Sequence, residues 1–281
     1  MVLGGFILDS AVIIGSFEFL GFHFCHALLE RGYEVKGVHL DNDVDNAILI
    51  EKRLEIGRNA NFKEESFSDW LISDSISEQT LVLIDFYDYF INHHTDFFEK
   101  LHLLDAYLIN NKKNIKETNS RVVSLLPIQW HHQKNDKIDH ILQKASISHC
   151  IYLPSIYGPW QSSAFLFQQY LLKSMSPETR ISINDREWFH DLLYIEDIVD
   201  PILMLAEKKS ASSILKSEDP NHWRKCADYL SIPVEEDKLN HLQGTLNTTH
   251  INIIIVKSHL LFSEGIENQK RHLKLLQEGR I

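Results

Sequence analysis

Short apolar runs alternate along this chain with segments whose apolar residues fall at helical spacing. Ala11 to Ile14 (AVII) leads through a glycine-bounded turn into an amphipathic segment, and a second β-branched run, Val35 to Leu40, ends on Asp41. That order predicts a strand, a tight turn, a helix and a parallel strand. Asn46 to Gly57 has helical spacing and stops at a glycine, Asn61 to Phe67 reads as a strand, and Leu81 to Phe86 (LVLIDF) is apolar without alternation. A strand buried on both faces has this look. Phe97 to Leu108 predicts a helix followed by a polar loop or fraying end (NNKKNIKETNS), then Arg121 to Leu126 a strand, Lys134 to Lys144 a helix and Cys150 to Leu153 a strand.

This alternation predicts an α/β protein with a Rossmann-like, doubly wound parallel sheet covered by helices on both faces. Residues 1–160 are expected to form it, with 188–209 returning to it. Residues 161–281 are expected to form a smaller C-terminal α/β lobe holding a helix over Ala164 to Met175, the runs SSIL and INIIIV, and a tail helix around Asn268 to Leu276. Such a lobe would lie across the carboxyl edge of the sheet, where open α/β folds bind ligands.

Composition narrows the partners. Of 281 residues 44% are hydrophobic and 24% charged, enough for a sizeable core. The net charge of −11 and the lack of a long basic run argue against nucleic acid as a partner. No apolar run is long enough to span a membrane and no leader pattern is evident, so a cytoplasmic protein is expected. The three cysteines are isolated, and the sixteen histidines include no HxxxH or HExxH helix, so no metal is expected.

The first turn carries the most specific chemistry. Gly15 and Gly21 occupy the first and third positions of a GxxGxxG turn that also contains Ser16 and Phe17, and Asp41 with Asn42 closes the second strand where an acid accepts hydrogen bonds from a ribose. These residues are the candidate cofactor-binding set. The middle position is Glu18, where glycine normally lets a pyrophosphate approach the helix start. A carboxylate about 4 Å from a phosphate charge costs on the order of 4 kcal/mol at an effective dielectric near 20. Alternatively Glu18 swings into solvent or caps the helix.

Four ordered segments resemble the extended short-chain dehydrogenase/reductases, the nucleotide-sugar epimerases and dehydratases: IIGSFEFLG (Ile13 to Gly21), ERGYEVKGVHLDN (Glu30 to Asn42), IYGPWQ (Ile156 to Gln161) and HDLLYIEDIVDPILMLAE (His190 to Glu207). The resemblance implies NAD or NADP as cofactor, a sugar nucleotide in the cleft, and pairing of two copies through helices beside the sheet. It places Tyr157, Trp160, Gln161 and His190 at the cleft mouth.

The catalytic pattern of that family is a Tyr and Lys in a YxxxK helix with a Ser on the preceding strand, and this chain departs from it. Trp130 with Lys134 gives WxxxK and Gln133 with Lys137 gives QxxxK. Neither an indole nor an amide can serve as a general base near pH 7. Ser124 is the one strand serine, followed by Leu125, Leu126 and Pro127. After the third strand only Ser66 or Asp69 could replace the usual acid, and after the fourth the bulky Asp85, Phe86, Tyr87 stand where small residues make room for a nicotinamide. The expected function is therefore a catalytically impaired relative that binds a ligand or regulates, with Ser124, Lys134 and Lys137 as the weak catalytic candidates. The alternative is an active NAD(P)-dependent epimerase, dehydratase or reductase with a rebuilt site, its base drawn from those lysines or from His131 or His132.

Overall fold

A computed structural model describes residues 8–40, 47–72, 76–131, 138, 140–142, 147–208, 211–233 and 251–279. The strands β1 (Ser10–Ile14), β2 (Glu34–His39), β3 (Phe62–Ser66), β4 (Thr80–Asp85), β5 (Arg121–Pro127), β6 (His149–Leu153), β9 (Ala211–Ser217) and β10 (Asn252–Val256) form one sheet in the order β10-β9-β6-β5-β4-β1-β2-β3. Every pairing in it is parallel. A second, two-stranded parallel sheet joins β7 (Ser155–Tyr157) to β8 (Leu192–Tyr194).

Alternation along the strands builds two cores. Ala11 and Ile13 of β1, with Leu81 and Leu83 of β4, face one cluster, while Val12, Ile14, Val82 and Ile84 face the other. All six residues of β4 are buried, as a central strand covered on both faces requires. The first core takes in helix α1 (Phe19–Glu30), whose Phe19, Leu20, Phe22, Phe24, Cys25 and Leu28 are buried. The second lies under α3 (Phe67–Ile72), α4 (Phe86–Ile91), α5 (Thr95–Glu99) and α6 (Leu101–Glu117). Further helices among the described residues are α2 (Ala47–Ile56), α7 (Leu166–Met175), α8 (Ile195–Ala206), α9 (His222–Tyr229) and α10 (Phe262–Gln277).

Three elements differ from the sequence reading. The helix expected over Phe97 to Leu108 breaks at Lys100, and its second part runs through the polar NNKKNIKE to Glu117. Burial of Ile115 and a bond from Asn114 Nδ2 to Ile76 O (2.8 Å) hold that extension on the sheet. The runs SSIL and INIIIV, expected in a separate lobe, instead add β9 and β10 to the main sheet. Phe86, expected to end the fourth strand, starts α4, because the Asp85 side chain caps a helix there through Asp88 N. The helix expected over Lys134 to Lys144 falls mostly outside the described residues.

Strand order reverses between β1 and β4, so the carboxyl ends of these two strands form the switch point where folds of this kind bind ligands. Gly15 follows one of them and Asp85 ends the other.

Candidate functional site

The first turn has the close geometry that its glycines predict. Gly15 takes φ +95° and donates to Val38 O (2.9 Å), tying the turn to β2. A Cβ on Gly21 would lie 1.9 Å from Gly15 O, so α1 starts in direct backbone contact with the turn. Ser16 is buried, and Phe17 packs edge-on against Phe62.

The helix start is already engaged by two carboxylates. Leu20 N–H donates to Asp88 Oδ2 at 2.6 Å, Gly21 N–H to Asp85 Oδ2 at 3.2 Å, and Asp88 N–H to Asp85 Oδ1 at 2.9 Å. Both aspartates are fully buried. Burial and the neighbouring Asp88 push the Asp85 carboxyl well above the usual range, and burial lifts Asp88 to about 6. The pair sits at the positive end of the α1 dipole, which favours a carboxylate there. Asp88 was not singled out by the sequence. Its signal is a second acid three residues after the one that ends a buried strand, inside the aromatic run FYDYF.

Glu18 neither swings into solvent nor caps α1, since it makes no side-chain cap bond. Its Oε2 accepts from Asn92 Nδ2 (2.9 Å) and its Oε1 pairs with His94 Nε2 (3.2 Å). Burial alone would raise its pKa, but His94, Lys52 and Asn92 together bring it below the ordinary value. Asn92 Oδ1 in turn accepts from Ser162 Oγ (2.6 Å), linking the turn to the loop after β7. Lys52, reaching in from α2, is buried and donates to Phe17 O (2.7 Å) and Glu18 O (3.3 Å). Burial lowers its pKa, opposed by Glu18, Asp88 and Asp85.

A pocket of about 390 Å³ opens beside this turn, lined among others by Phe17, Phe19, Lys52, His94, Trp160 and Ser163. Of the residues expected at the cleft mouth, Trp160 and Gln161 border it. Trp160 also meets His272 of α10 edge-on (4.3 Å between ring centres), and the Gln161 amide is tied to Ile156 O (2.6 Å) and to Gln269 Nε2 (2.7 Å). Tyr157 is buried instead, its hydroxyl 3.3 Å from His222 Nε2 and pressed on Gly265. His190 is exposed and packs on Trp188. The tail helix docks over Tyr157, Trp160 and Gln161.

Among the described residues, neither Trp130 nor Ser124 lines the pocket beside the turn. Trp130, on a 3₁₀ turn over Ile128–His131, is buried with its ring near Phe86, Phe90 and Phe98. Ser124 lies buried in mid-strand, level with Ile84 and Cys150. Lys134, Lys137, His132, Asp41 and Asn42 lie outside the described residues. Ser66 and Asp69 bond to each other (2.8 Å) at the start of α3. Tyr87 stacks on Phe165, and its hydroxyl accepts from Ile156 N (3.2 Å), so this aromatic fills space in the core beside the switch point. Among the described residues no group of metal-ligating side chains occurs, and no helix is long and apolar enough to cross a membrane.

Solved structures share this architecture. UDP-glucuronic acid 4-epimerase from Bacillus cereus, in complex with NAD, matches at TM-score 0.62 and 14% identity over 95% of this chain and 99% of its own. dTDP-glucose 4,6-dehydratase from Bacillus anthracis, also with NAD, matches at 0.60 and 11% over 96% and 97%. UDP-glucose 4-epimerase from Thermotoga maritima, with UDP-glucose, matches at 0.58 and 12% over 94% and 98%. No protein-family model and no curated protein matches the sequence. The fold is therefore the one used by NAD-dependent sugar-nucleotide epimerases and dehydratases of the extended short-chain type.

Proposed function

We propose that this chain is a catalytically silent relative of the sugar-nucleotide epimerases and dehydratases, acting as a binding or regulatory protein that holds a nucleotide or sugar nucleotide in its cleft. The observation that carries the reading is Trp130. Hydride chemistry on a sugar needs a group that takes the hydroxyl proton, and the WxxxK frame supplies an indole, which donates but cannot accept. Its ring is wedged among Phe86, Phe90 and Phe98 rather than presented to the pocket. Ser124 is fully buried in β5 and does not line the pocket.

Retained ligand binding is supported by the 390 Å³ pocket, where the Trp160 ring, Ser163 and His94 supply stacking and hydrogen bonds. The likeness to an epimerase bound to UDP-glucose makes a sugar nucleotide the first ligand to try.

The test is incubation with UDP-glucose, UDP-glucuronic acid or dTDP-glucose and added NAD⁺, with products separated by chromatography and the same sugar nucleotides titrated calorimetrically. The proposal expects saturable binding of at least one of them and no epimerised or dehydrated product. Multiple turnovers of any of them would overturn it.

A further inference from the structure

We infer that the carboxylates of Asp85 and Asp88 stand where a dinucleotide's diphosphate would rest, so that the chain closes its own cofactor site from within. The inference deepens the silent-relative reading and rests on it, adding the device that keeps the cofactor out.

In this fold a diphosphate is held by backbone N–H groups at the start of the first helix, helped by the helix dipole. Here two of those groups, on Leu20 and Gly21, already donate to Asp88 and Asp85. The first and third glycines keep the turn tight, with Gly21 against Gly15 O, while the middle position, where a glycine would let a diphosphate approach, is Glu18. What changes is the identity of the anion: a side chain of the same chain rather than a ligand.

The occupant is anchored. Asp88 N–H is capped by Asp85, and the residues on either side of Asp88 are core aromatics. Tyr87 is bonded by Ile156 N, and Tyr89 stacks on Phe97 at 4.0 Å. The packing of both rings fixes the backbone from which the Asp88 carboxylate reaches Leu20. The local charge opposes a phosphate as well. Glu18 lies partly buried beside the turn, and the neighbouring cation, Lys52, is turned onto Phe17 O and Glu18 O. Charge repulsion at about 4 Å contributes on the order of a thousandfold against binding, before the overlap of the two anions is counted.

The decisive experiment is calorimetric titration of NAD⁺, NADH and inorganic pyrophosphate into the wild-type chain and into Asp88→Ala, at pH 7.5. Asp88→Ala removes the carboxylate on Leu20 but leaves the backbone N–H of residue 88 bonded to Asp85, so α4 keeps its cap. Wild type is expected to bind none of the three below about 1 mM, and Asp88→Ala to gain at least tenfold for NAD⁺ or pyrophosphate. Asp88→Asn, which keeps the volume and the bond from Leu20, is expected to gain far less than Ala. Should Asp88→Ala not fold by circular dichroism, Asp88→Ser replaces it. Micromolar binding of NAD⁺ to wild type overturns the inference, and so does a folded Ala or Ser variant with no gain. Wild type that binds NAD⁺ yet leaves sugar nucleotides unchanged would sink the inference and spare the silent-relative reading. Wild type that turns them over would sink the reading.

Discussion

Glu18 and His94 hold each other at 3.2 Å beside the first turn, with Asn92 bonded to the other carboxylate oxygen. The pair sits between the helix that would carry a cofactor and the end of α4, so it joins two elements of the switch point. His94→Ala should leave a partly buried carboxylate still bonded by the Asn92 amide and cost about 1–2 kcal/mol of stability. Urea unfolding measures this. The loss should shrink on acidification, because a carboxylate with a lowered folded pKa contributes stability that is present above its unfolded pKa and lost as pH falls through the folded one.

Glu187 behaves in the opposite sense. It is fully buried and accepts from Leu166 N (2.8 Å), and burial pushes it up to about 8 from 4.5. Between those values the folded chain keeps a proton that the unfolded chain has released, so stability falls as pH rises through that window. Glu187→Gln keeps an acceptor for Leu166 without the titration. Unfolding free energies at pH 5 and pH 8.5 should show the variant gaining up to about 4 kcal/mol on wild type across the interval.

Gly21 tests the backbone contact under α1. A methyl there would stand 1.9 Å from Gly15 O, with no flexible side chain to move aside. Gly21→Ala is expected to cost about 3 kcal/mol or more, read as a lowered melting temperature or loss of folded protein. Gly32, whose added Cβ would meet nothing within 4 Å, is the control for solvent-side space, although its φ of +80° carries its own backbone strain.

The tail helix fixes the far wall of the cleft through a chain of buried amides. Gln269 Nε2 donates to Gln161 Oε1 (2.7 Å) and Gln168 Oε1 (2.8 Å). Gln269→Leu should strand both acceptors and cost about 2 kcal/mol. Limited proteolysis should then cut the Trp160 loop faster than in wild type.

The βαβ grammar of the first 126 residues was legible because β1, β4 and β5 are short apolar runs and the connections end at glycines or polar clusters. LVLIDF announced a strand buried on both faces, and β4 is one. The placement of SSIL and INIIIV was not legible, since short apolar runs do not say which sheet they join. In the site, the sequence pointed to an acid at the helix start and named Glu18, which is sealed in its own ion pair. The acid that meets Leu20 is Asp88, sixty-eight positions away in sequence, brought there by the pairing of β1 with β4. Turn motifs are local, and this contact is not. The burial of Tyr157 was hidden for the same reason, because it depends on where α10 docks.

The backbone amide of Leu20 reports on the central claim most directly. In a heteronuclear spectrum of the amide-labelled wild type at pH 7.5, a bond of 2.6 Å to the Asp88 carboxylate should place that proton well downfield and slow its exchange with solvent. Adding NAD⁺ to several millimolar should leave it where it is, and Asp88→Ala should move it. A Leu20 amide that shifts saturably as NAD⁺ is added to the wild-type chain would contradict the account.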